Sequence, residues 1–476
     1  MALDMDIDLI GSQPSLYKLY TQLAFVFARS DSQPQSIITD ILTRGLERLA
    51  QHFPWTAGQV VNANPDATAT PLYKIRPLYR IPSLVVEDYS NNVQIPTFAE
   101  MERAGYPMSM LDEDRWAPCP TLAGLGFDPP KPSGSAEQSA PVMMVQLSFI
   151  RAGVVLCINM QHNVCDMLGQ AAVMQWLSKA CCGEEFSEDE LKVGNMKRRG
   201  LIPLIEEGGW RPGKELNDQL LTSEPTPTID AQEPKADTVS NLPAPPKCSW
   251  VYFNFSASAL EALKEEATRS LPDDFTGFVS TDDTLTAFIL QNVSRSRQPR
   301  LPADISITLA RAIDARRYLC ISPIYPGILQ NMTYTHLPIS TILGLPLGHI
   351  AATLRTQIDP KTSDVAQRTR ALLTYLSQAS ENASNVSFTA KCRADADIML
   401  SSWTKVPAYE WTFGFGLGRP KVVRRPAFVP VESLMYLMPK DEEGGVAVAM
   451  CLREEDIQEL RDSEDWSRFV AYVGLT

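Results

Sequence analysis

The residues best suited to do chemistry in this sequence are His162 and Asp166, which stand four positions apart in the segment MQHNVCD. A histidine can transfer protons near neutral pH, because its unperturbed pKa is about 6.5. Two apolar runs, 142–149 and 154–160, precede it and are joined by an Arg-Ala-Gly turn, which predicts two paired β-strands. Apolar residues then recur every three or four positions over 167–181, as in a helix with one buried face. The sequence therefore places the imidazole at a junction between a strand and a helix.

Residue types alone leave three interpretations of this segment open. The Asp166 carboxylate can orient a histidine, as the acid of a Ser-His-Asp triad does. Cys165 lies between the two residues; a thiolate nucleophile is one interpretation of it, and a small residue packed beneath the loop is the one we favour. The plainest alternative is a histidine that only packs at the end of a strand.

The composition excludes several classes of protein. The chain has 476 residues, 44% of them hydrophobic, and this length suits two domains of about 200 residues each. A formal net charge of −13 argues against a nucleic-acid-binding protein, which would present a basic face. Nine cysteines without metal or disulfide spacing suggest reduced thiols inside a cell. The acidic N-terminus is unlike a secretory signal and no apolar run could span a membrane, so we expect a cytoplasmic monomer without a metal site.

The chain divides by composition into two α/β regions and a linker. Helical and strand-like segments alternate through residues 1–192, and they include a predicted helix over 36–52. Between 193 and 247 the composition shifts to Pro, Glu, Asp and Thr, which predicts a crossover loop. Residues 248–476 begin with the strand-like CSWVYFNFS and contain an S-x-x-D helix start at 280–283. The predicted fold class is mixed α/β.

Several further segments, together with the His162 segment, carry a family resemblance. They are HFPWTAGQV (52–60), LARAIDARRYL (309–319), PGILQNM (326–332), SSW (401–403) and TFGFGLGRP (412–420). In this order they resemble the BAHD-type acyl-CoA-dependent acyltransferases and, among these, the fungal trichothecene 3-O-acetyltransferases. The likeness continues to the C-terminal WSRFVAYVG and covers nearly the whole chain. It implies two similarly folded chloramphenicol-acetyltransferase-like domains with the active site in a channel between them.

The resemblance also implies a role for each residue of the site. His162 is the general base that removes the proton of the acceptor hydroxyl. Asp166 turns away from it and pairs with Arg316, which fixes the loop that carries the histidine. Trp403 presents its indole N–H to the reacting carbonyl, although an ordinary buried tryptophan is an equal alternative. Ser401 lies beside the acyl group or the acceptor, and no protein nucleophile is required.

The glycine run over 414–418 invites comparison with a dinucleotide-binding loop. No βαβ pattern surrounds it and a proline follows closely, so we reject that interpretation. It resembles instead the D-F-G-x-G signature of the family, in which Thr412 replaces the usual aspartate. Because that motif is chiefly structural in the family, we expect Thr412 to change local packing rather than catalysis.

Two clusters of cations in this acidic chain offer partners for the phosphates of CoA. Lys421, Arg424 and Arg425 follow the glycine run, and we take them as the CoA candidates. Residues 197–199, Lys-Arg-Arg, follow the predicted first-domain helix and are the second choice. Solvated surface charge is the alternative for both clusters.

The sequence thus predicts an O-acyltransferase that uses acetyl-CoA or another acyl-CoA as cosubstrate and acylates a hydroxyl of a fungal secondary metabolite, such as a trichothecene or another terpenoid. A condensation-type domain supplied by a carrier protein is one alternative. Such domains carry H-H-x-x-x-D-G, whereas here Gln161 precedes His162 and Met167 follows Asp166. The other alternative is a catalytically silent homologue that only binds a metabolite, and the intact motif residues argue against it.

Overall fold

Three β-sheets with helices packed against them form the part of the chain that the structure describes. The structure is a computed structural model that describes residues 3–30, 33–64, 71–123, 139–206, 209–221 and 246–474. The strands are β1 (Met5–Asp6), β2 (Tyr20–Ala28), β3 (Gly58–Asn62), β4 (Tyr73–Pro77), β5 (Ser83–Asp88), β6 (Met143–Ile150), β7 (Gly153–Gln161), β8 (Cys248–Phe255), β9 (Ser306–Asp314), β10 (Gln330–Pro338), β11 (Ile398–Ser402), β12 (Val422–Arg424), β13 (Leu434–Leu437), β14 (Val446–Arg453) and β15 (Ala471–Val473). The α-helices are α1 (Gln35–His52), α2 (Phe98–Ala104), α3 (Glu113–Trp116), α4 (Met167–Cys182), α5 (Glu188–Gly194), α6 (Ala257–Arg269), α7 (Thr281–Arg297), α8 (Ile339–Gly344), α9 (Leu347–Thr356), α10 (Val365–Gln378), α11 (Glu454–Asp462) and α12 (Glu464–Ser467). The predicted mixed α/β class is confirmed.

The sheet of the N-terminal half contains the strand pair that leads to His162. Its strands follow the order β12-β2-β7-β6-β5, and all neighbours are antiparallel except β5 and β6. Strands β6 and β7 lie within one residue of their predicted bounds. Helices α1 and α4 pack together and contribute to the same core as these strands. Gly45 permits this close packing, because a Cβ there would lie 2.2 Å from the Sγ of Cys181.

The sheet of the C-terminal half has seven strands in the order β10-β9-β11-β13-β14-β8-β15. Strand β11 is parallel to both of its neighbours, whereas the other pairs are antiparallel. Helices α6, α7 and α9 pack beside one another, and their apolar residues share a core with this sheet. The predicted start of α7 is confirmed as a capping box, in which the Ser280 hydroxyl accepts from the Asp283 N–H and the Asp283 carboxylate accepts from the Ser280 N–H.

The two halves interlock through strand β12. This strand comes from the C-terminal half of the chain, yet it pairs with β2 in the N-terminal sheet. The division into 1–192, 193–247 and 248–476 therefore stays a proposal. Of the predicted crossover loop, residues 207–208 and 222–245 lie outside the described part of the chain. The parts of this predicted loop that the structure describes pack against the C-terminal half. Ile202 and Leu216 share an apolar cluster with residues of α10.

Among the described residues, no helix is both long and apolar enough to cross a bilayer.

Candidate active site

His162 lies where the sequence predicted, between the end of β7 and the start of α4. Its backbone N–H donates to the carbonyl of Leu19 at 2.7 Å, which fixes the loop against the segment before β2. Helix α4 begins directly after Asp166, whose carboxylate accepts from the N–H of Gly169 at 2.9 Å as an N-cap. The position of the histidine is thus fixed by the end of β7 before it and by the N-cap of α4 after it.

The imidazole of His162 sits in an enclosed environment that favours its neutral form. The residue keeps partial exposure, while its Nδ1 is enclosed and has no hydrogen-bond partner among the described residues. Burial lowers the pKa of His162 below the ordinary value of 6.5, and the Arg425 cation lowers it further. The backbone of His162 itself and the Asp166 carboxylate act in the opposite direction, but the pKa remains lowered. A neutral imidazole able to accept a proton is therefore available at neutral pH.

Asp166 forms a buried ion pair with Arg316 instead of contacting the imidazole. The guanidinium donates from Nη1 to Oδ2 and from Nη2 to Oδ1, each at 2.9 Å. The N–H of Leu329 donates to the same carboxylate at 2.7 Å. Asp166 is 2% exposed and Arg316 1%, so water screens this pair little. With the N-cap bond included, both carboxylate oxygens are occupied, and the triad interpretation lacks a geometric basis.

Arg316 in turn fixes the segment that faces the start of α4. Its Nε donates to the carbonyl of Tyr325 at 3.1 Å and its Nη2 to that of Gly327 at 2.7 Å. Gly169 lets this segment approach the helix, because a Cβ there would lie 2.2 Å from the carbonyl oxygen of Pro326. Burial alone would lower the pKa of Arg316, but the charges of Asp166 and Asp314 and the hydrogen bonds to them together more than offset this effect, and the pKa is raised. The arginine stays charged, and the histidine loop is held to the C-terminal half of the chain.

A second buried pair, which the sequence did not reveal, anchors the same loop. Arg198 donates from Nη1 to the Val164 carbonyl at 2.5 Å and contacts the Asp8 carboxylate at 3.4 Å. Asp8 also accepts from the N–H of Ile328 at 3.1 Å. The Arg198 guanidinium lies 4.6 Å from the ring centroid of Trp55. Arg198 is thus a buried support of the loop, whereas the sequence offered it as surface charge or a CoA contact. No local pattern joins residues 190 positions apart.

Cys165 is enclosed within the loop, and none of its surface is exposed. Burial raises the pKa of its thiol to about 12. The thiolate fraction at neutral pH is therefore very small, and a nucleophilic role has no support. The geometry supports the packing role that the sequence favoured.

Trp403 and Ser401 lie together at the end of β11. The indole Nε1 donates to the Ser401 hydroxyl at 3.0 Å, and the ring packs against Tyr436 with 4.8 Å between centroids. Both residues line a cavity of about 550 Å³ that also reaches Asp166 and Met167. The proposed donor N–H therefore lies beside the histidine loop, but it is bound to Ser401. A reacting carbonyl would have to replace that bond, so the oxyanion role stays a prediction.

The same cavity is lined by cations that lie outside both basic clusters of the sequence. The cations that line it are Lys264, Arg311, Arg316, Arg317, Arg355, Lys405 and Lys440. Arg311 and Arg355 are held by ion pairs to aspartates at the start of α7. Lys264, Lys405 and Lys440 form no ion pair with a carboxylate of the described residues. These lysines are distributed over three segments of the C-terminal half, which explains why no cluster appears in the sequence.

The predicted CoA contacts lie elsewhere. Lys421 and Arg424 line a separate cavity of about 790 Å³, which contains none of the motif histidine, aspartate or tryptophan. Lys421 is exposed, whereas the Arg424 guanidinium is buried over the ring of Tyr252. Arg425 is 3% exposed and packs among aromatic rings. Contact of these three cations with CoA stays a prediction.

The glycine run closes the end of α4, away from the histidine loop. Phe413 donates its N–H to the Ser178 hydroxyl at 3.2 Å, and Gly414 has a φ of 65°. A Cβ on Gly414 would lie 2.7 Å from the carbonyl oxygen of Cys181, so this approach requires glycine. Thr412 lies 3.6 Å from the thiol of Cys182 through its hydroxyl. The run connects to β12 and not to a helix, as expected for a structural motif.

Comparisons with known proteins place this geometry in a family. Residues 19–181 match the model of the trichothecene 3-O-acetyltransferase-like N-terminal domain, and residues 120–466 match that of the transferase family. The chain is 42% identical to the O-acetyltransferase dmxR13 of Cryptosporiopsis sp. over 99% of this chain and 98% of that protein. It is 41% identical to the trichothecene 3-O-acetyltransferase TRI101 of Fusarium sporotrichioides over 99% and 97% of the two chains.

A solved structure extends the likeness to the fold. The crystal structure of F. graminearum TRI101 complexed with ethyl coenzyme A superposes with a TM-score of 0.89, at 38% identity and with all of both chains covered. The resemblance predicted from the motifs is thereby confirmed. The chain belongs to the BAHD-type transferase family, in the group of acyltransferases that are like the trichothecene 3-O-acetyltransferases.

Proposed function

We propose that this protein transfers the acetyl group of acetyl-CoA to a hydroxyl of a fungal secondary metabolite, with a trichothecene or another terpenoid as the acceptor. The observation that carries the proposal is the partly exposed imidazole of His162 on a loop whose Asp166 end lines a cavity rich in lysine. The relatives named above are O-acetyltransferases, and the similar crystal structure holds a CoA derivative. We also propose a cytoplasmic monomer.

In the proposed reaction His162 accepts the proton of the acceptor hydroxyl while the hydroxyl oxygen attacks the thioester carbonyl carbon. The carbonyl oxygen becomes an oxyanion, for which the indole N–H of Trp403 is the candidate donor once it leaves Ser401. Collapse of the intermediate breaks the C–S bond. The imidazolium then returns its proton to the CoA thiolate, and the neutral base is restored. No covalent acyl-enzyme forms.

Asp166 serves this reaction through position. Its carboxylate is fully used by Arg316, the helix cap and the Leu329 N–H, so it orients the loop and not the imidazole ring. This arrangement holds the loop that carries the histidine in place while the substrates bind. Small errors of position reduce rates strongly, because a displacement of about 1 Å can cost on the order of 100-fold.

The cavity beside Trp403 is the proposed entrance for CoA. Lys264, Lys405 and Lys440 of this cavity, which form no ion pair within the described ranges, can neutralise the phosphates, whereas the Lys421 cluster can do so only at a distance from the motif residues. Phe278 lines the same cavity with 68% of its surface exposed and offers a ring for the purine. Lys264→Ala and Lys440→Ala should each raise the KM for acetyl-CoA while kcat is retained. Lys421→Ala is the matched comparison, and a larger effect there would return the CoA site to the first cluster.

The function is tested by product mass after incubation of the purified protein with acetyl-CoA and a panel of trichothecenes, other terpenoids and alkaloids. The expected product carries one added acetyl group, and His162→Ala should not form it. Sequential kinetics are expected, since transfer is direct. Turnover only with a carrier-protein thioester, or binding of metabolites without any transfer, would contradict the proposal.

A further inference from the structure

Arg425 carries a positive charge that is buried among aromatic rings beside the catalytic centre. Its guanidinium carbon lies 4.5 Å from the ring centroid of Phe428, 4.6 Å from that of Tyr436 and 5.7 Å from that of Trp403. Only 3% of the residue is exposed. A buried charge is costly unless its surroundings compensate it, and ring faces supply negative potential. The three rings therefore stabilise the buried guanidinium, and the guanidinium in turn fixes the positions of the rings.

Residues from both halves of the chain contact Arg425. Its Nη2 contacts the hydroxyl of Thr121 at 3.4 Å, and the Thr121 N–H donates to the buried carboxylate of Glu113 at 2.6 Å. From the C-terminal sheet, the Tyr252 hydroxyl accepts from the Arg425 N–H at 2.9 Å and donates to its carbonyl at 3.0 Å. The residue follows β12, the strand that crosses between the halves. Its position is therefore set by the assembled domains.

Two charged groups act on the imidazole of His162 from the surrounding elements. One is Asp166 at the start of α4, whose charge is largely balanced by Arg316. The other is Arg425, which contacts the hydroxyl of Thr121, the residue whose N–H binds the Glu113 carboxylate; burial raises the pKa of that carboxyl. The geometry also joins Arg425 to the histidine loop, because the Thr121 that it contacts accepts from the Tyr20 N–H at 2.8 Å through its carbonyl, and Leu19, the residue before Tyr20, accepts from the His162 N–H at 2.7 Å.

We propose that Arg425 is a positioning residue of the acyl-transfer site, one that fixes the Trp403 indole and keeps a positive field on His162. A positive field disfavours the imidazolium, which keeps the base free before proton transfer and speeds return of the proton to the CoA thiolate. The same field attracts the oxyanion and the thiolate as they form. This inference rests on the proposed function and assigns to Arg425 a role in the reaction that CoA binding alone would not require.

The test combines two substitutions with a measurement that does not depend on turnover. The chain has only four histidines, so the ring signals of ¹³C-labelled histidine can be followed against pH by NMR. The signal of His162 is the one that is lost in His162→Gln. Arg425→Met keeps length and apolar packing but removes the charge, and the titration midpoint of His162 should move to higher pH. Arg425→Lys keeps the charge but loses the planar stack, so the midpoint should stay close to that of the unaltered protein.

Turnover supplies the second measurement. Both substitutions should lower kcat by about 10- to 100-fold, because the indole is no longer held in position. Arg424→Met is the matched control: it removes a neighbouring buried arginine that packs on Tyr252, and it should leave the His162 midpoint where it is. An unchanged midpoint in folded Arg425→Met would overturn the proposal. If that variant does not fold, full kcat in Arg425→Lys would overturn it as well. Failure of the proposed function would show separately, as absence of transfer by the unaltered protein.

Discussion

Replacement of Asp166 by asparagine separates a structural carboxylate from a catalytic one. Asparagine is about as good an N-cap as aspartate, so the bond to the Gly169 N–H survives. What is lost is the charge that faces Arg316 in a pair 1–2% exposed. Removal of one partner of a buried ion pair costs about 3–5 kcal/mol. We expect the lower end, roughly 3 kcal/mol, because Arg316 keeps the Asp314 carboxylate at 2.9 Å and two backbone carbonyls.

The assay compares melting temperature and turnover in the same preparations. For a domain of this size, 1 kcal/mol corresponds to about 2–4 °C, so Asp166→Asn should melt roughly 6–12 °C lower. Turnover should fall with it, because the loop that carries His162 loses its anchor. Asp314→Asn is the control: Asp314 contacts the same guanidinium but its side chain is 30% exposed, and the expected cost is at most about 1 kcal/mol. An unchanged melting temperature with a large loss of activity would refute the reasoning and restore the triad.

Four further outcomes follow from the site. His162→Ala should fold normally and lose transfer, and near-normal turnover would remove the residue from its role as base. The neutral imidazole is the active form, and burial lowers its pKa below 6.5. We therefore expect kcat/KM to stay level down to about pH 6.5 and to fall only as the pH drops through the lowered pKa. A fall of kcat/KM with a midpoint above pH 6.5 would contradict this prediction. Cys165→Ala should retain most activity, since the thiol is buried with a pKa of about 12, and a transfer-competent acetyl adduct on Cys165 would overturn the direct mechanism. Thr412→Asp should reduce stability more than kcat, because a carboxylate would be placed beside Cys182 at the end of α4, and a tenfold rise in kcat at constant stability would show a catalytic motif.

The sequence by itself determined the local features around the active site. The strand pair before His162, the helix after it and the capping box at Ser280 all depend on residues a few positions apart, so hydrophobic period and side-chain type suffice to predict them. The motif order also predicted the family and the pairing of Asp166 with Arg316. The second of these rested on resemblance, because spacing cannot bring together residues 150 positions apart.

Only the tertiary structure decided which charges are buried and what they meet. Arg198 and Arg425 belong to basic runs that look like surface in the sequence, yet one supports the histidine loop through Val164 and the other lies among three rings. The lysines of the cavity beside Trp403 come from separate segments, so no run of cations marks them. Even the indole N–H of Trp403 is committed to a neighbour that only side-chain geometry reveals. The physical reason is common to all of these: the free energy of a charge or a donor depends on burial and on partners brought together by chain crossing, and neither is a property of local sequence.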